Sequence, residues 1–95
     1  MSKENKQDND KFISLIIVVN TIPVTITINE NAPLKAAAEK ALEETKNSGR
    51  PLQDWEMKLD DKILDLDKKI KSYDFPNNQE LFLSLKAGVG GNRII

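Results

Sequence analysis

Three of the four glycines in this 95-residue chain, Gly88, Gly90 and Gly91, sit together near its C-terminal end. Without a Cβ, a glycine lets another protein close around its backbone, so an enzyme that must hold a chain end in a narrow channel needs such residues there. Gly91 has no free carboxylate as encoded, because Asn92, Arg93, Ile94 and Ile95 follow it. The other residues with chemistry to offer are less promising. Asp60, Asp61, Asp65 and Asp67 have the density of a calcium loop but lack its glycine and its terminal bidentate glutamate, and they read as a solvated acidic turn.

Histidine and cysteine are both absent. That removes the commonest general base, the commonest metal ligand and the thiol nucleophile, so the chain is expected not to be an enzyme and to need no metal or cofactor. Without cysteine there is no disulfide framework, and a reducing cytoplasm is the natural setting. Lysine and arginine number 14 against 15 acids, with the signs interleaved, which leaves no electrostatic footprint for nucleic acid. The longest apolar stretch, Ile13 to Val19 interrupted by Ser14, is too short to span a bilayer, so no membrane association is expected.

The glycines must be positioned by a folded body, and the chain is long enough for one domain only. Residues 1–10 are polar throughout after Met1 and are expected to form a disordered leader. The β-branched run Phe12 to Val19 suits a central strand. Asn20-Thr21 offers a turn, and beyond it Val24, Ile26 and Ile28 alternate with Thr25, Thr27 and Asn29, which predicts an antiparallel hairpin. A helix is expected from Pro33 to Asn47, with Leu34, Ala37, Ala38, Ala41, Leu42 and Thr45 on its inward stripe. Lys35 with Glu39 and Lys40 with Glu44 are spaced for supportive pairs, and Ser48-Gly49 is expected to end the helix through a left-handed glycine.

Trp55, Met57 and Leu59 alternate with Glu56 and Lys58 as a half-buried strand, turned by Asp60-Asp61. Ile63 to Leu66 reads as a brief edge strand or an extended segment, and Ile70 to Phe75 as a short helical turn stopped by Pro76 and Asn77-Asn78. The last strand, Glu80 to Leu85, directs Leu81, Leu83 and Leu85 one way and Phe82 and Ser84 the other. The order predicts an α+β fold of the β-grasp type, a mixed sheet with one main helix packed on one face. A ferredoxin-like alternative would need a second long helix.

From Lys11 to Gly91 this order of elements resembles the ubiquitin-like modifier family, with a close local match in Ser72-Tyr73-Asp74-Phe75, a polar turn, and Leu81-x-Leu83-x-Leu85. Within it the chain looks most similar to bacterial ubiquitin-like proteins that accompany their own activating enzyme, conjugating enzyme and peptidase. The resemblance implies a ubiquitin-like domain over residues 11–86 and a flexible tail over residues 87–95. It also implies a precursor: cleavage after Gly91 removes Asn92 to Ile95, and the new carboxylate is adenylated with ATP and joined through an isopeptide bond to target proteins. Gly90 and Gly91 are then the conjugation and processing residues, and the partners are an adenylating enzyme, a conjugating enzyme, a processing peptidase and targets. The modifier itself is expected to be a cytoplasmic monomer.

The same resemblance implies that Tyr73 ties down its loop and that Lys62 stands at a chain-forming lysine. Lys58 and Ser84 replace the Ile and Val of the family's recognition patch, which implies a dedicated partner set. Trp55 reads as a core residue, and Phe82 as an exposed contact residue. The rival reading is a β-grasp adaptor that binds its partners non-covalently. A sulfur carrier is disfavoured, because such chains end at Gly-Gly itself.

Overall fold

A computed structural model of the chain describes residues 11–87; the leader over residues 1–10 and the segment from Gly88 onward lie outside the described residues. Strands β1 (Phe12–Val19) and β2 (Ile22–Asn29) form an antiparallel hairpin in full register, from Phe12 opposite Asn29 to Val19 opposite Ile22. Asn20 and Thr21 make the turn with positive φ of 48° and 74°. Two left-handed central residues give the turn twist that matches the flanking strands.

Helix α1 (Leu34–Glu44) follows, then β3 (Trp55–Leu59), β4 (Lys62–Ile63) and β5 (Gln79–Leu85). The sheet runs in the order β2-β1-β5-β3-β4. β5 lies parallel to β1 and antiparallel to β3, so the first and last strands are central neighbours, as the β-grasp reading requires. Leu15, Ile17, Val19, Ile26, Ile28, Met57, Leu81 and Leu83 form the inner face and are buried with Leu34, Ala37, Ala38, Ala41 and Leu42 of the helix. The three alanines are fully buried, because side chains this short let the helix backbone approach the sheet.

The helix ends differ from the sequence expectation. Pro33 stands in extended conformation (φ −71°, ψ 152°) at the N-cap position, one place before the first helical residue. No side chain caps it; instead the Leu34 and Lys35 amides donate to the carbonyls of Lys68 and Leu66, each at 2.9 Å. A distant loop therefore satisfies donors that a local cap would otherwise take. At the other end the helix stops at Glu44, and the left-handed residue is Lys46 (φ 62°), not Gly49. The Asn47 amide reaches back to Leu42 O at 2.7 Å and closes the last turn, with Thr45 Oγ1 donating to Ala41 O at 2.9 Å. Lys35 turns away from Glu39 to meet Asp67 at 3.4 Å, and Lys40 and Glu44 form no ion pair among the described residues.

Two further features are local. Residues Leu52–Asp54 form a 3-10 turn that is too short to leave a periodic signal. The edge strand is confined to Lys62–Ile63; Leu64 is buried, and its amide donates to Met57 O at 2.8 Å. Ile70–Tyr73 forms the expected helical turn as a 3-10 helix, ended by Asp74 in left-handed conformation.

Candidate functional site

The sequence points to the tail, and the structure describes the root from which it leaves. Leu85 pairs with Trp55 across β5 and β3, and the Lys86 amide donates to Asp54 O at 2.8 Å. Lys86 and Ala87 are exposed. The processing residues Gly90 and Gly91, and the segment Asn92, Arg93, Ile94 and Ile95, lie outside the described residues.

The outer sheet face is fully described. Side chains alternate across a strand, so those opposite the buried set share this face. Register places Pro23, Val18, Phe82, Lys58 and Ile63 in one row across all five strands, with Phe82 on the middle strand. Phe82 is 47% exposed and Ile63 62%. Lys58 lies in the row beside Phe82, and its ammonium reaches Glu56 Oε2 at 3.5 Å. Ser84 is half-buried next to Glu56. The structure thus brings Phe82, Lys58 and Ser84 onto one surface, where a shallow groove with Val18, Asn20 and Thr21 runs along Phe82. Lys62 is exposed on β4, away from this row.

Tyr73 fixes the loop that underlies the helix. Its hydroxyl accepts the Asp65 amide at 2.8 Å and donates to the Asp65 carbonyl at 2.9 Å. The ring stacks on Phe75 with centroids 5.1 Å apart. Asp65 and Asp67 are spent locally: Asp65 Oδ1 accepts the Asp67 amide at 2.9 Å, and Asp67 pairs with Lys35. Trp55 is 2% exposed, in the core as expected, yet its indole Nε1 is buried without an acceptor. That orphaned donor depends on three-dimensional neighbours and leaves no periodic or compositional signal.

Comparison with known proteins agrees with this geometry. A family model described as "Protein of Unknown function (DUF2604)" matches residues 8–91. The uncharacterized protein y4jI of Sinorhizobium fredii is 46% identical over 97 residues, covering 96% of this chain and 75% of that protein. Among solved structures, Caldiarchaeum subterraneum ubiquitin superposes with a TM-score of 0.68 at 16% identity, over 84% of this chain and 100% of that one. The UBL domain of Plasmodium falciparum Dsk2 gives 0.67 at 14% identity, over 80% and 100%. A structure described as "Molecular Mimicry of SUMO promotes DNA repair" gives 0.69 at 16% identity, over 79% and 92%. These likenesses establish a ubiquitin-like β-grasp fold.

Proposed function

The chain belongs to the DUF2604 family, and from its ubiquitin-like fold and the glycine pair just past the last strand we propose that it is a ubiquitin-like modifier precursor. The observation that carries this reading is positional. β5 ends at Leu85, the Lys86 amide is still held by Asp54 in the turn that leads into β3, and Gly90 and Gly91 follow four and five residues later in the sequence. The family match also runs to Gly91 and stops there, before Asn92.

In this scheme a peptidase hydrolyses the Gly91–Asn92 amide: water adds one oxygen to the Gly91 carbonyl carbon, the C–N bond breaks, and Asn92 leaves with a free amine. The new Gly91 carboxylate attacks the α-phosphorus of ATP and expels pyrophosphate. The acyl adenylate passes to a thiol of the partner enzymes with loss of AMP, and a target amine then displaces the thiol to form an isopeptide bond. The chain contributes the acyl group and the surface by which it is held. Catalysis belongs to the adenylating enzyme, the conjugating enzyme and the peptidase, and the setting is a reducing cytoplasm.

A second reading, the non-covalent adaptor, is favoured by the exposed Phe82 on the middle strand of the outer face. The two separate in one assay. A chain ending at Gly91, mixed with the cognate adenylating enzyme and ATP, should release pyrophosphate stoichiometrically, and the Gly91→Ala chain should not. Absence of release from the Gly91-ending chain, with outer-face binding intact, would favour the adaptor.

A further inference from the structure

The two edges of the sheet are built differently. The β4 edge is two residues long, carries Lys62 and follows Asp60 and Asp61, so its shortness and charge discourage another strand. The β2 edge is eight residues long, and no charged residue occurs from Asn20 to Asn29. A long uncharged edge is a template for strand addition, because its outward amides and carbonyls have no partner in the sheet.

The register says which groups those are, since hydrogen-bonded and non-bonded pairs alternate along an antiparallel ladder. Glu30 N–H donates to Lys11 O at 2.9 Å, whereas Ser14 O turns the other way and accepts the amide of Asn78, the residue before β5, at 2.6 Å. The even-numbered residues of β2 therefore bond to β1, and the backbone groups of Pro23, Thr25, Thr27 and Asn29 point out of the sheet. Two of these positions are incomplete. Pro23 has no amide proton to offer, and Asn29 O is already taken by the Ala32 amide at 3.0 Å.

These two gaps select the occupant. In an antiparallel pair of β2 strands centred on Ile26, Thr25 stands opposite Thr27 of the second copy, and Pro23 opposite its Asn29. Thr25 and Thr27 then exchange both backbone bonds, and Asn29 N–H donates to Pro23 O. The amide that Pro23 lacks would have gone to the carbonyl that Asn29 has already spent, so each gap covers the other. The two-fold axis repeats the match, as a contact between identical surfaces requires. Centring the pair on Thr25 leaves the Thr27 carbonyl facing proline, and centring it on Thr27 leaves the Thr25 amide facing the spent carbonyl. A strand from an unrelated protein needs no such match. On the helix side of the same seam, Val24 stands opposite Ile28 of the second copy.

We propose that two copies of this chain associate edge to edge through β2, antiparallel and centred on Ile26, into one continuous sheet with both helices on the same side. This dimer takes the place of the monomer expected from the sequence, and it is independent of whether the tail is processed. A single strand pair is a small interface, so the dissociation constant should lie between about 10 μM and 1 mM.

Sedimentation equilibrium of the full-length chain up to about 1 mM reads the association, and backbone amide exchange reads its place. The chain should dimerise, and exchange at Thr25, Thr27 and Asn29 should slow with concentration. Thr25→Lys/Thr27→Lys sets like charges opposite each other and should weaken the dimer by about tenfold or more. Thr25→Lys/Thr27→Glu alters the same positions but sets opposite charges across the seam, and should dimerise at least as well as the unaltered chain. Both variants lose the contact of Thr27 Oγ1 with Ser14 Oγ at 3.1 Å, so a defect in folding would show in both alike. Equal affinity of the two variants, or a dimer whose Thr25 and Thr27 amides exchange as freely as in the monomer, would overturn the proposal. So would a monomer at the highest concentration, which would leave the β2 edge to a strand of another protein.

Discussion

The Tyr73 hydroxyl closes a ring with the backbone of Asp65, accepting its amide proton at 2.8 Å and donating to its carbonyl at 2.9 Å. One side chain therefore satisfies both polar groups of a single residue in the loop that also caps α1 through Leu66 and Lys68. Tyr73→Phe removes both bonds while keeping the stack on Phe75. The loss should be about 1–3 kcal/mol in urea denaturation, toward the lower end because water can reach this loop. An unchanged midpoint would show that the loop does not depend on the hydroxyl.

Adjacent residues on β5 should respond oppositely to truncation. Leu83 is fully buried and Phe82 is 47% exposed. Leu83→Ala should cost about 2–5 kcal/mol, the range for a core leucine whose cavity is not refilled. Phe82→Ala should cost about 0.5 kcal/mol or less, as surface substitutions do. Equal losses in chemical denaturation would contradict the assignment of faces.

Much of this was legible in the sequence because it depended on period. Val24, Ile26 and Ile28 showed a strand face, Leu34 to Leu42 a helical stripe, and Leu81 and Leu83 the inner side of the last strand. Their order was enough for the parallel pairing of β1 with β5. The ends of α1 were not legible, since their partners are remote: Leu34 and Lys35 are capped by residues 66–68, and Lys35 leaves Glu39 for Asp67. Gly49 was the local choice for a left-handed residue, but Asn47 closing on Leu42 puts that conformation at Lys46. For the site, alternation alone put Phe82 on the outer face. Its row with Val18 and Lys58 needed the register, and the unpaired Trp55 Nε1 needed the packed core.

The relocated helix end gives a pair of substitutions. Lys46 holds φ of 62°, which a glycine adopts without steric cost. Lys46→Gly should therefore be neutral or stabilising by up to about 1 kcal/mol. Gly49 lies outside the left-handed region and has open space at its Cβ, so Gly49→Ala should stabilise by about 0.4–1 kcal/mol by restricting the unfolded chain. A loss of stability on Gly49→Ala in thermal or chemical denaturation would return the cap to the glycine.

Lys62 is exposed on the short edge strand, where an incoming acyl group can reach its amine. If chains form, Lys62→Arg should keep the charge, reduce self-conjugates by most of their amount, and leave processing untouched. Peptide mapping of conjugates formed with the cognate enzymes checks this. Undiminished chains would move the acceptor to another lysine.

The central claim is that the chain is cleaved after Gly91 and used through the carboxylate so exposed. The most direct measurement is the intact mass of the full-length protein after incubation with its cognate peptidase, beside the Gly91→Ala chain. The account predicts a fall by the mass of Asn92 to Ile95 in the first and none in the second, with both unfolding at nearly the same denaturant concentration. Full-length mass retained by the unaltered chain, or cleavage at a bond other than Gly91–Asn92, would contradict it.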